Sequence, residues 1–153
     1  MARLEDIPQP TRDAVVAVPC PSFDTAPFVA GPPLPQRRVA IISSAALIRR
    51  GDTPFAFGSG EVRFISGDVP VNDLLVSHVS INFDRSGWQR DPNVVFPLQR
   101  LRELAAGGHI GGVADTHYTV MGSTDPAQMR QAVDQIAGQL RQERIDSILL
   151  SPV

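Results

Sequence analysis

Apolar and polar positions change period several times along this chain, and each change predicts an element. Arg38–Ala46 (RVAIISSAA) is apolar and then ends in small polar residues, the pattern of a buried parallel strand entering a tight βα turn. Glu61–Ser66 alternates polar and apolar, as a strand with one exposed face does, and Gly67-Asp68 closes it with a turn. Asp73–His78 is the next strand, with Val79 and Ile81 continuing its apolar content. After a polar segment, Pro97 suits a first helical position, Leu98, Leu101, Leu104 and Ala105 share a face, and Gly107-Gly108 stops the helix. Ile110–Tyr118 reads as a strand ending in His117-Tyr118. Asp125-Pro126 is a strong helix start, followed by a core-facing stripe of Met129, Ala132, Val133, Ile136, Ala137 and Leu140. Asp146–Val153 is a last buried strand. Strands and helices alternating in this way predict an α/β fold: a doubly wound, mostly parallel sheet in a three-layer sandwich.

The first third behaves differently. Eight prolines fall within residues 1–36, which predicts an irregular arm with a short extended piece at Ala14–Val18, ahead of a single α/β domain over 37–153. Phe23, Phe28 and Val29 give such an arm apolar surface to bury on its own domain or on a partner subunit.

Composition narrows the chemistry. All fourteen basic residues are Arg, so Schiff-base, lysine general-base and Walker-type phosphate chemistry are excluded. The single cysteine, Cys20, lies between two prolines with no cationic or helix-N-terminal setting, and rules out an internal disulfide or a cysteine metal cluster. A formal net charge of -2 gives no sign of nucleic-acid or membrane partners. The start MARLEDIPQP has no signal-peptide pattern and no apolar run approaches a membrane span, so the expectation is a cytoplasmic domain.

Candidate chemistry gathers between Gly67 and Gly108. His78 closes one expected strand and His117 the following one; if the strands are parallel, both sit at the sheet edge where open α/β folds bind ligands, with Asp84 six residues beyond His78. Two imidazoles and a carboxylate there suit acid–base work or a metal, although either histidine taken singly is better read as capping a strand through the backbone. Their spacing matches no tight metal motif, so no metal is assigned. His109 follows two glycines and is expected in solvent. Arg90 is placed to pair a carboxylate, and Trp88 to pack as a lid. The turn at Ser43-Ser44 offers backbone amides to an anion but carries no dinucleotide fingerprint.

Gly67-Asp68, Ser77-His78, Asp84, Arg90–Leu98 (RDPNVVFPL), Arg100–Leu104 (RLREL), His117-Tyr118, Met121-Gly122 and the closing Leu149–Val153 (LLSPV) together resemble the selenoprotein B family, the substrate-specific subunits of glycine, sarcosine, betaine and D-proline reductases. The resemblance covers about Arg37 to the end. It implies reductive cleavage of a carbon–nitrogen bond in a small amino-acid-like substrate, within a complex of reductase subunits or a homo-oligomer. Under a reductase reading, the residues placed above become the expected site: His78, Asp84 and His117 as catalytic, and Arg90, Ser43 and Ser44 as substrate-binding. The nucleophile expected in the full family member is a selenocysteine or cysteine directly after the last strand. This chain contains no selenocysteine and is read as truncated just before that motif, with the gene continuing through a UGA codon. Alternatively it is a stand-alone, non-catalytic binding or assembly domain.

Overall fold

The computed structural model describes residues 3–19, 22, 24–81 and 83–153. They form two compact units, one reaching to Ala30 and one running from Gly31 to Val153. In the first, helix α1 (Gln9–Val16) overturns the irregular arm at those residues and makes the expected extended piece at Ala14–Val18 helical through Val16. Pro8 is its N-cap and Pro10 lies in its first turn, where backbone amides need no partner, so proline starts this helix and does not break it. Cys20 and Phe23 lie outside the described residues.

The second unit is mixed α/β. A five-stranded sheet is centred on β1 (Arg38–Ser43). β2 (Leu47–Arg49) leaves this sheet and pairs antiparallel with β4 (Leu74–Val76) in a separate two-stranded ribbon. β3 (Val62–Ser66) returns to the main sheet antiparallel to residues Thr116–Val120, strand β6. A short helix, α2 (Ser86–Arg90), and then α3 (Leu98–Ala106) follow. β5 (Gly112–Val113) and β6 (Thr116–Val120) both pair parallel with β1. Helix α4 (Arg130–Gln142) and β7 (Ser147–Ser151) end the unit. β7 pairs parallel with β1 over Val39–Ser43. Val39 pairs both Val113 and Ser147, and Ile42 both Tyr118 and Leu150. β5 and β6 therefore share one edge of β1, and β7 takes the other.

β1 alternates between two cores. Val39 and Ile41 pack with Leu98 and Leu101 of α3, whereas Ala40 packs with Ala132 and Ile136 of α4. One helix thus lies on each face, fewer than an alternating βα pattern suggests, because the segment between β4 and α3 is mostly turns. The expected helix limits hold at Pro97 and Gly107, with Gly108 left-handed at φ 72°. Asp125 caps a 3-10 turn at Pro126–Met129 that leads into α4; its carboxylate accepts the Ala127 amide at 2.9 Å. The α4 stripe is narrower than expected: Ala132 and Ile136 are buried, but Val133 is exposed.

Two expectations need correction. The single strand expected over Ile110–Tyr118 is split into β5 and β6 by an outward bend at Ala114-Asp115, where the Glu143 carboxylate accepts the Asp115 and Thr116 amides. β7 is an edge strand and not a buried one: Ile148, Leu149 and Leu150 are 44%, 37% and 67% exposed. Its apolar sequence could not distinguish a central strand from an uncovered one.

Tyr118 is fully buried between α4 and the sheet, edge-on to Phe64, and its hydroxyl has no hydrogen-bond partner among the described residues. Burial, helped by Glu143, pushes its pKa up to about 12. Removing an unpaired buried hydroxyl relieves its desolvation, so Tyr118→Phe is expected to raise stability by about 1 kcal/mol in urea unfolding. A loss of similar size would show that the hydroxyl is bonded.

Candidate ligand pocket

The strand β4 ends at Val76, and the chain then turns through His78 and Ser80 toward α2. Two local bonds fix this turn. The Ser80 amide donates to His78 Nδ1 at 3.1 Å, and Arg85 donates to the His78 carbonyl. His78 is 5% exposed and packs against Phe83, with ring centroids 5.1 Å apart. Because Nδ1 accepts a hydrogen bond, the proton of the neutral ring sits on Nε2. Burial first, and the Arg85 charge second, lower the His78 pKa and keep the ring neutral. Its Nε2 is buried without a hydrogen-bond partner among the described residues.

His78 lines an open pocket of about 470 Å³ together with Ser80, Phe83, Asp84, Gly87, Val94, Val95 and Val153. The wall is largely apolar, with an imidazole and a carboxylate as its titratable groups. Asp84 starts the α2 turn: its Oδ1 accepts the Ser86 amide at 2.8 Å. Hydrogen bonds from Ser86, backbone first, hold its carboxyl below the usual range, with Arg90 adding to the effect. Arg90 thus acts electrostatically on Asp84 from the end of α2. Val153 joins the pocket because its amide donates to Ser44 Oγ at 2.9 Å, after the Ser44 amide has bonded the Ser151 carbonyl. Pockets of similar size at Arg49–Arg50 and at Ser59–Glu61 contain no buried, unpartnered polar atom.

The sequence-derived site residues are thereby partly gathered. His78 and Asp84 share the pocket, Arg90 acts on Asp84, and Ser44 tethers the residue that closes the wall. Ser43 is buried, and its hydroxyl accepts the Ala45 amide. The amides of Ser44, Ala45 and Ala46 all bond to the protein itself, to Ser151, Ser43 and Val120.

His117 is not in the pocket lining. It sits within β6, fully buried, with Nδ1 accepting the Ile41 amide at 3.0 Å. There the imidazole stands in for a backbone carbonyl in the β1–β6 ladder. Its ring meets Phe96 edge-on at 5.6 Å, and its Nε2 is also unpartnered. The expected shared edge for the two histidines fails because β4 belongs to the antiparallel ribbon and not to the parallel sheet. Among the described residues no group of three metal-ligating side chains converges, so the alternative of a metal held by His78, Asp84 and His117 is not assembled. Trp88 packs against the α3-side core, and His109 is exposed.

Sequence reasoning missed Ser80, Phe83, Gly87, Val94, Val95 and Val153 as pocket wall. The one signal, for Val94 and Val95, is the Asn93–Phe96 run, whose apolar residues precede a helix without belonging to its stripe.

Comparison with known proteins bears directly on this architecture. The family description "Glycine/sarcosine/betaine reductase selenoprotein B" matches residues 18–152. The chain is 32% identical over 116 residues to "D-proline reductase subunit gamma" of Acetoanaerobium sticklandii, covering 74% of this chain and 47% of that protein. It is 27% identical over 143 residues to "Glycine reductase complex component B subunit gamma" of Symbiobacterium thermophilum, covering 87% of this chain and 32% of that one. A third relative, "Betaine reductase complex component B subunit beta" of Peptoclostridium acidaminophilum, is 30% identical over 74 residues, 48% of this chain and 17% of its own length. The chain therefore spans half or less of the length of these relatives. No solved structure matches it. No helix among the described residues is long and apolar enough to cross a membrane. A match over residues 18–152 of 153 places this chain in the glycine/sarcosine/betaine reductase selenoprotein B family.

Proposed function

We propose that this chain is the substrate-binding α/β part of a reductase-complex subunit that acts on a small amino acid such as glycine, sarcosine, betaine or D-proline, breaking a carbon–nitrogen bond. The observation that carries this reading is the buried, unpaired Nε2–H of His78 in the wall of the pocket. In the structure that donor is shielded from solvent, so a ligand carboxylate reaches it when the wall around His78 shifts, and such charge-assisted bonds are among the stronger ones. Asp84, its carboxyl held below the usual range, suits the ligand's ammonium group, and the Arg90 charge acts on Asp84. His117 supports the site from behind, through Phe96 and its neighbour Val95.

In this reading the nucleophile is a selenocysteine or cysteine joined after Val153. Such a residue ionises near neutral pH and supplies the redox chemistry that the pocket's own groups lack. The pocket fits it in one respect: Val153 is itself wall, so the peptide that follows begins at the ligand. The doubly wound three-layer sheet and a cytoplasmic location belong to the same proposal for the whole family member, as do the other reductase subunits as partners.

Calorimetric titration of the purified chain with the four amino acids tests the reading. At least one should bind, and His78→Ala should weaken it about 10- to 100-fold, the value of one charge-assisted hydrogen bond. If none binds, or if His78→Ala binds as well as the parent, His78 is not a ligand contact. The second reading is a non-catalytic binding domain that uses the same pocket. Binding retained in the whole native protein with no thiol-dependent turnover would select it.

A further inference from the structure

We infer that Arg85 is both the latch of the His78 pocket and the first contact of a ligand carboxylate. By moving from the carbonyls of His78 and Phe83 to that carboxylate, its guanidinium frees the Phe83 ring and uncovers Nε2 of His78. The inference rests on the reading of the pocket as a carboxylate site, and it names what opens that site.

The donor is out of reach as it stands. Nε2 of His78 is buried without a partner among the described residues, although His78 lines an open pocket. The Phe83 ring packs on the imidazole with centroids 5.1 Å apart and planes tilted by 42°, and it lines the same pocket. Phe83 is half-buried at the margin of the α3-side core. Turning its ring outward therefore uncovers the imidazole and leaves the centre of that core packed.

Arg85 holds the ring at three points. It donates to the His78 carbonyl at 2.5 Å and to the Phe83 carbonyl at 3.5 Å, and its guanidinium carbon stands 5.6 Å from the centre of the Phe83 ring. The bond to Phe83 is longer than a usual N–H···O bond, so that tie yields first. All three partners are uncharged. Among the described residues Arg85 forms no ion pair; Asp84, its neighbour in the chain, accepts the Ser86 amide and feels the charge of Arg90.

Arg85 is exposed, so an incoming anion meets it before it meets the buried imidazole. A carboxylate offers the guanidinium fork two charged oxygens at once, where its present acceptors are single neutral ones. The exchange therefore favours the ligand. The Arg85 charge also reaches the His78 ring, where it adds to burial in lowering the pKa. One carboxylate thus serves the uncompensated cation and the unpaired donor together. A carboxamide gives the guanidinium no charged partner, and the latch stays shut.

Calorimetry of the 153-residue chain with glycine, sarcosine, betaine and D-proline, and with glycinamide and D-prolinamide, tests the contact. Arg85→Gln should weaken the bound acid about 10- to 100-fold and shrink its preference over the amide by the same factor. Without ligand, the Nε2–H of His78 in proton–nitrogen NMR spectra should exchange with solvent about 10-fold faster in Arg85→Gln and in Phe83→Ala than in the parent. Phe83→Ala keeps Arg85, so it should keep the full preference for the acid. An acid that binds Arg85→Gln as tightly as the parent overturns the contact. Equal losses of acid and amide do so too, since they mark structural damage alone. Unchanged exchange in Arg85→Gln overturns the latch. An amino acid weakened by His78→Ala but not by Arg85→Gln removes this inference and leaves the pocket's reading standing. If none of the four binds the parent, both fall.

Discussion

Acidifying this protein from pH 7 to 4.5 is expected to cost its fold about 2–3 kcal/mol, most of it through His117. Burial outweighs the attraction of Glu143 and lowers the His117 pKa from 6.5 to about 4. In the unfolded chain the same ring takes up its proton near pH 6.5. Between those values the unfolded state binds more protons than the folded one, so stability rises with pH across the window. The contribution is complete above about pH 7 and is lost as pH falls toward 4. His78, also lowered by burial, acts with the same sign. Glu143, Asp84 and Asp91 have carboxyls held below the usual range, so their contributions disappear at lower pH and leave this window to the histidines.

Urea midpoints of the parent and of His117→Gln, measured across pH 4.5–7, separate the cause. The glutamine carbonyl retains an acceptor for the Ile41 amide but does not titrate, so the variant should show a flatter profile. An identical slope in both proteins would assign the acid sensitivity elsewhere.

Phe96→Ala should destabilise the protein by about 3–5 kcal/mol, the usual range for deleting a fully buried phenyl ring. Phe96 is 1% exposed in the α3-side core, among Ile41, Leu98 and Leu101, and its ring stands nearly perpendicular to that of His117 at 86°. The substitution leaves a cavity against the unpaired Nε2 and behind Val95, one wall of the pocket. Two further outcomes follow. Water admitted beside His117 reduces its desolvation, so the acid sensitivity should shrink along with the stability. Ligand binding should weaken although Phe96 does not line the pocket. Phe96→Leu, which retains most of the volume, should cost no more than about 1.5 kcal/mol. If Phe96→Ala costs less than Phe96→Leu, the proposed packing between His117 and the pocket wall is wrong.

Two of the eight pocket-lining residues, His78 and Asp84, are legible in the amino-acid sequence. Gly67–Gly108 stands out because polar residues follow an apolar strand and precede a well-punctuated helix, and His78 and Asp84 do share the pocket there. His117 stands out as well, but for the wrong place. Its partner in space, the Ile41 amide, lies 76 residues away in sequence, and no local pattern announces an imidazole completing a strand ladder. Val94 and Val95 read as ordinary apolar residues, and only the turn that folds them over Gly87 makes them wall.

By itself the sequence determined the elements whose signals act within a few residues: the limits of α3 at Pro97 and Gly107, the capped entry to α4 at Asp125-Pro126, the apolar strands β1 and β7, and the family. Caps, prolines and periodicity impose their energies locally, so they can be read in order along the chain. Tertiary structure alone decided which strands pair, that β4 joins β2 and not the parallel sheet, and that β7 lies uncovered at an edge. Those outcomes depend on burial and hydrogen bonding between segments far apart in the chain, and an apolar strand looks the same in sequence whether or not a neighbour covers it.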